Sequence, residues 1–287
     1  MNETFAIEIQ AATGRWQTTC QITDRPGAQV WRVTLINGIQ VAVKITTGAE
    51  NAGRMAAREA AVIRAAGPTA GRVLATGTVP GVVSWLVTPW WHGPTLADQI
   101  VRLRARGVDA RARSSIALLA AQAAGALAAL HEAGWSHGAV RAEHFIHTPH
   151  GVRLVDLGSA RGPADSLPPE LDFPPTGTLV GLDIAEISRR LTAGTLATPS
   201  TEADVYTFAS VVWNSCTGTW PVDHHPEAGN DGEDSAPAWA TAPSGWRAFK
   251  VLLKPALASQ PILRPTAAAL SSALSLLAAL EAAKTSC

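Results

Sequence analysis

Cysteine and charge are both scarce in this sequence. Three cysteines among 287 residues, Cys20, Cys216 and Cys287, are odd in number and far apart. That pattern excludes a disulfide framework and paired metal-ligand spacing, and it suits a reducing compartment. Charged residues make up 16%, with 23 lysines plus arginines against 23 aspartates plus glutamates. No net field therefore draws the chain to nucleic acid or to an anionic membrane. The local basic run Arg102, Arg104, Arg106, Arg111 and Arg113 reads as a solvated helix and loop. Long apolar runs are missing too. The most apolar stretches, 116–130 and 267–280, are alanine-rich and shorter than a bilayer requires. The opening MNETFAIEIQ has no basic segment followed by an apolar core, so it does not read as a signal peptide. A cytoplasmic protein is the expectation. Gly-x-Ser-x-Gly is absent, which removes the usual hydrolase elbow, and no aspartate lies between Asp109 and Asp156.

Hydrophobic residues reach 47%, ample for a core, and the alanine, glycine and proline load points to a GC-rich bacterial coding sequence. The first hundred residues read as strands with one helix. Runs 30–35 and 39–45 are β-rich and meet at Asn37-Gly38, which predicts a hairpin with a type I′ turn. Residues 52–66 are helix formers ended by Gly67-Pro68. Strands follow at 72–78 and 82–88. Beyond residue 95 the pattern turns helical, with a long alanine/leucine helix over 112–133 stopped by Gly134. A short hairpin is expected at 145–147 and 152–155, and helices at 203–216, 244–254 and 266–283. Residues 159–200, rich in Gly, Pro, Ser and Thr, read as a long loop with a short helix at 183–191. Residues 221–243 read as an exposed acidic loop.

Several chemistry-bearing groups fall in a set order. Val41-Ala42-Val43-Lys44 lies on a strand, and Glu59 follows fifteen residues later on the next helix. Leu130-His131-Glu132-Ala133-Gly134-Trp135-Ser136-His137-Gly138 leads out of the long helix, and Asp156-Leu157-Gly158 follows Arg153-Leu154-Val155. Gly177-Thr178 precedes Ala185-Glu186; Asp204-Val205-Tyr206 opens a later helix; Arg264-Pro265-Thr266 comes near the end. Taken together, the series resembles the protein-kinase superfamily from about residue 15 onward. The resemblance implies an α+β, bilobal kinase-like fold. Residues 1–89 would form a small antiparallel-sheet lobe with one helix, and 90–287 a larger, mainly helical lobe. It also implies that Lys44, held by Glu59, faces ATP phosphates and that Asp156 holds magnesium. Thr88 would back an adenine pocket whose hydrogen bonds come from the Pro89 carbonyl and the Trp91 amide.

The departures from that family fall on its chemistry. Against H-R-D-x-K-x-x-N the chain reads His137-Gly138-Ala139-Val140-Arg141-Ala142-Glu143-His144. Ala139 stands where the catalytic aspartate belongs, and His144 where the second metal-holding asparagine belongs. His-Gly also occurs in aminoglycoside-phosphotransferase-like kinases, but those retain the aspartate. The three glycine positions of the phosphate-covering loop fall on Thr23, Arg25 and Ala28. Glu143 and His144 are the weak candidates for a replacement base. His137, His144, His147 and His150 do not share one face in number enough for a metal site.

Two functions follow as expectations. One is a pseudokinase, a regulatory or scaffolding partner of a protein or peptide, with ATP and magnesium as candidate ligands. Its candidate contact surfaces are 159–186 and 221–243. The other is an unorthodox ATP-dependent phosphotransferase acting on a peptide, protein or small molecule, for example in peptide natural-product modification.

Overall fold

The structure is a computed structural model, and it describes residues 3–49, 51–79, 83–173, 199–221 and 244–285. The chain is α+β. It divides into two compact units, Met1–His92 with Asp156–Thr178, and Gly93–Val155 with Leu179–Cys287. The expected helix at 183–191, the Gly177-Thr178 and Ala185-Glu186 signals and the acidic loop over 222–243 lie outside the described residues.

The first unit is built on an antiparallel sheet of five strands: β1 Trp16–Arg25, β2 Ala28–Leu35, β3 Gln40–Thr47, β4 Ala75–Val79 and β5 Val83–Pro89, in the order β1-β2-β3-β5-β4. Alternation along β3 decides which side faces what. Val41, Val43 and Ile45 enter a buried cluster with Val33, Trp85, Val87 and Ile9. Ile9 comes from α1, Glu3–Thr13, a helix the sequence reading did not anticipate. The one-helix expectation for this region is therefore wrong. Phe5 and Ile9, four residues apart, supply the apolar side that seats α1. The Trp85 indole donates to Glu8 Oε1 at 3.1 Å and crosses Gly77, where a Cβ would lie 2.5 Å from the ring.

The other face of β3 carries Lys44 and Thr46 toward α2, Asn51–Ala66. Two amides in the second turn of α2 find partners on the sheet: Ala56 donates to Thr46 Oγ1 (3.0 Å) and Ala57 to Ser84 Oγ (3.1 Å). The same hydroxyls donate to the Gly53 carbonyl at 3.2 and 2.6 Å, so two strand side chains enter the helix's own hydrogen-bond ladder and tie it to the sheet. Gly67, at φ 74°, ends the helix where expected.

The β2–β3 hairpin forms at Asn37-Gly38, but its turn is not type I′. Only Gly38 has positive φ (81°). Gly38 N–H donates to the Leu35 carbonyl and Leu35 N–H to that of Ile39, both at 2.8 Å. A type I turn followed by a left-handed glycine satisfies both bonds without forcing Asn37 into positive φ.

The second unit gathers around α4, Ala110–Glu132, and α5, Thr201–Thr217. Preceding α4 is α3, Leu96–Ala105, whose Thr95 and Asp98 form a reciprocal capping box. After α4 come the β6 (Phe145–Thr148) and β7 (Gly151–Leu154) hairpin, then α6, Arg247–Leu253, and α7, Ala267–Ala283. The helix expected at 244–254 is shorter, being flanked by 3-10 turns at Ser244–Trp246 and Lys254–Leu257. α5 is buried almost all round from Ala203 to Trp213, as a core helix should be. The length argument against a membrane span does not survive for α4. Helix formers outside 116–130 extend it to 23 residues, long and apolar enough to cross a membrane by length and composition alone, with half of that window buried in protein.

Candidate functional site

Lys44 is the centre of the first unit's polar constellation. Its Nζ donates to Glu59 Oε2 at 2.6 Å and also to Asp156 Oδ1. The Glu59 carboxylate is used twice, since Oε1 accepts the Leu157 N–H at 3.0 Å. Burial pushes the Lys44 ammonium toward its neutral form, but the charges of Asp156 and Glu59 and their hydrogen bonds outweigh that cost, and its pKa is raised. The charged ammonium is favoured over the neutral amine. Asp156 adopts a left-handed backbone, φ 63°, one of two positive-φ non-glycine residues among those described. That conformation aims its carboxylate at Lys44 while its own side chain stays 42% exposed.

Arg58 was not singled out from the sequence, yet it fixes this turn. It is fully buried, and its guanidinium donates to the Gly158 carbonyl and to the Ala160 carbonyl, the latter at 2.8 Å. The Phe173 ring lies 5.7 Å from its Cζ. Adjacent residues of α2 therefore grip the Asp156 segment in two ways, Glu59 through an amide and Arg58 through two carbonyls. Burial and the nearby Arg161 lower the Arg58 pKa. The only available sign was an arginine set beside Glu59 on a largely apolar helix. A Cβ on Gly158 would sit 3.2 Å from Met55 Cε, so the thioether end would have to shift by a few tenths of an ångström to admit one.

Thr88 and Pro89 end β5 opposite Ala42 and Val41. Both are half-buried, as is Trp91. The Trp90 N–H donates to the Gln40 carbonyl at 3.2 Å, and Arg32 stacks 5.5 Å from its ring. Trp90 is thus bound into the sheet edge as a packing aromatic. The positions expected for a phosphate-covering loop are not in a loop. Thr23 pairs with Val30 and Arg25 with Ala28, so β1 and β2 are joined by the two residues Pro26-Gly27 alone. Proline fixes the first position and Gly27, at φ 81°, takes the second, in type II fashion. A Cβ on Gly27 would meet the Thr47 carbonyl at 3.1 Å. The hairpin is too tight to offer a glycine-rich cradle of amides.

In the second unit, the loop holding Ala139 is pinned by Asp204. This buried carboxylate accepts the His137 N–H at 2.5 Å, the Gly138 N–H at 2.9 Å and a hydrogen bond with His131 Nε2 at 3.0 Å. His137 Nε2 bonds the Val155 carbonyl (3.1 Å), so that nitrogen carries the proton, and Nδ1 accepts the Ala139 N–H at 3.3 Å. The Ala139 carbonyl in turn accepts from His144 Nδ1 at 2.9 Å, and the His137 and His144 rings stack at 5.6 Å. His144 is thus held by its Nδ1 on the backbone of Ala139. Glu143 is exposed and pairs with Arg141 at 3.5 Å. Ala139 itself offers a methyl group and no proton acceptor.

Arg264 stacks 4.7 Å from the Tyr206 ring and donates to the carbonyls of Ala258 and Glu202. Glu186, the residue that the kinase resemblance would pair with Arg264, lies outside the described residues. Among the described residues, no group of three His, Cys, Asp or Glu side chains can hold a metal ion. The single carboxylate of Asp156 suits magnesium only where phosphate oxygens and water complete the shell. Compared with known proteins, the chain matches no family model and no curated sequence.

Proposed function

We propose that this chain is a degenerate kinase-like protein, a pseudokinase that works through a protein or peptide partner, with ATP and one magnesium ion as candidate ligands. The observation that carries this reading is the pairing of a complete Lys44–Glu59–Asp156 constellation with an Ala139 that has no acceptor. In this reading the sheet-based unit is the small lobe and the helical unit the large one. Lys44 neutralises nucleotide phosphates, Glu59 holds it in place, and Asp156 supplies a carboxylate for magnesium bridged to those phosphates. Thr88, the Pro89 carbonyl and the Trp91 amide would take the base.

Three losses argue against ordinary phosphoryl transfer: the base at Ala139, the amide ligand replaced by His144, and the glycine cradle replaced by the Pro26-Gly27 turn. Positioning and charge supply most of the catalysis in this chemistry, so loss of the base alone would leave some rate. The second reading, a phosphotransferase acting on a peptide, protein or small molecule, therefore rests on exposed Glu143 as the base. Thermal unfolding with ATP, with and without magnesium, tests the first reading. Stabilisation that requires magnesium and is lost in Asp156→Ala supports it. Phosphate transfer that disappears in Asp156→Ala and in Glu143→Gln supports the second.

A further inference from the structure

α7 is alanine and leucine apart from three serines and Glu281, its only charged residue. A helix of that composition belongs in an interior. One side does pack: Leu270, Leu274, Leu277 and Ala278 are buried, Ser271 Oγ donates to the Ala121 carbonyl of α4, and Ser114 Oγ to that of Ala278. The neighbouring stripe, Ala273, Leu276, Leu280 and Lys284, recurs at three- and four-residue spacing and is uncovered. Leu276 is 63% and Leu280 56% exposed. Val251 of α6, 67% exposed, faces the same groove, a cavity of about 730 Å³.

Cations outnumber anions around this groove: among the described residues Arg113, Arg247 and Lys284 line it against one acidic residue, Glu281. The Glu281 side chain is 3% exposed and already saturated, by Arg113 Nη2 at 2.8 Å and by Lys284. Those hydrogen bonds outweigh its burial and lower its pKa. Arg247 is exposed and forms no ion pair among the described residues. Among the described residues an incoming carboxylate would therefore meet Arg247 and Lys284 and no uncompensated anion. The lining comes from helices and the Gly245 turn, with no strand edge to extend. From Ala273 to Lys284 the stripe rises about 16 Å, three turns of helix.

We propose that the α6–α7 groove is a docking surface for an acidic amphipathic helix of a partner protein. Such a helix lays leucine-type residues at i, i+3 or i+4 and i+7 against Val251, Leu276 and Leu280, and its flanking carboxylates reach the exposed Arg247 and Lys284. The proposal goes beyond the nucleotide reading and needs neither ATP nor Asp156.

The test uses the full chain and two labelled synthetic helices of about 18 residues. Both carry leucines at this spacing, with glutamate at the other positions in one and lysine in the other, and binding is read by fluorescence anisotropy. The glutamate peptide should bind at least about tenfold tighter than the lysine peptide, and more weakly as salt rises. Leu276→Glu with Leu280→Glu should weaken it at least about tenfold, with circular dichroism confirming the fold. Arg247→Glu, a surface change that leaves the apolar floor intact, should weaken it by about threefold or more. Equal affinity for the two peptides, or indifference to all these variants, would overturn the proposal. So would a dimer in sedimentation that Leu276→Glu with Leu280→Glu makes monomeric, which would assign the groove to a second copy. Displacement of the glutamate peptide by phosphatidylcholine vesicles would assign it to a membrane surface instead.

Discussion

The Lys44 cluster and the Ala139 loop are held in opposite ways, one by charged side chains and the other through its backbone. Around Lys44 the charged side chains are all present: one cation lies between two carboxylates, and α2 grips the following turn through Glu59 and Arg58. Around Ala139 the backbone is ordered just as closely, by Asp204 on two amides and by the His137 and His144 imidazoles on the Ala139 N–H and carbonyl. What position 139 itself offers is a methyl group, with no proton acceptor. The loop's shape therefore does not depend on a carboxylate at that position. A loop can keep its path when its chemistry goes, because buried partners elsewhere satisfy its polar groups.

Removing those partners should separate shape from chemistry. The largest effect is expected for Asp204→Ala. It leaves two amides and His131 without their acceptor and should lower stability by about 3 kcal/mol or more, read by urea unfolding. Hydrogen exchange should place the loss at 131–144 and not in the sheet. Exchange faster in both regions alike would break the comparison. Next is Arg58→Met, which retains an aliphatic stem and strands the carbonyls of Gly158 and Ala160, at a cost of about 2 kcal/mol. Amides at 157–160 should exchange faster while those around Ala139 hold. A smaller change, within about 1 kcal/mol, is expected of Ala139→Asp, because Ala139 is only half-buried and its backbone bonds remain. Phosphate transfer gained by this variant would show that the cluster around Lys44 is catalytically assembled.

The two regions also carry different signatures in pH. Lys44 has a folded pKa above its unfolded value of about 10.4, so its stabilisation is complete below that pH and is lost as pH rises through the higher folded value. The alkaline limb of a stability profile should therefore be steeper for the wild type than for Lys44→Met. Glu281 behaves in the reverse sense. Its pKa is lowered from an unfolded value of about 4.3, so its contribution is present above that pH and disappears as pH falls through the folded value. Glu281→Gln should flatten the acid limb alone, the smallest effect of the set.

Lys44, Glu59 and Asp156 were legible because each sits in a local pattern: a β-rich run, an amphipathic helix and an Asp-Leu-Gly turn. Their mutual contacts agree with the fifteen-residue strand-to-helix spacing. The Asn37-Gly38 hairpin was legible but its turn type was not, since the dipeptide permits several turns and only the register selects one. α1 was missed because its packing partner, the far face of β3 and β5, is visible only once the sheet exists. Arg58 escaped notice for a similar reason: its partners are carbonyls 100 and 102 residues away, which carry no sequence identity. Gly27 marks a tight turn in the sequence, but the two-residue length of the Pro26-Gly27 connection was not legible, because counting glycine positions from a family pattern assumed a longer loop.

Nucleotide binding in three proteins tests the central claim most directly: wild type, Asp156→Ala and Lys44→Met, each titrated with ATP in magnesium and in chelator. The expected result is a magnesium-dependent stabilisation of the wild type, about 2.7 kcal/mol at a hundredfold excess over Kd. Both variants should lack it, and none of the three should transfer phosphate. Turnover by the wild type that Asp156→Ala abolishes, or no response to ATP in any of the three, would contradict it.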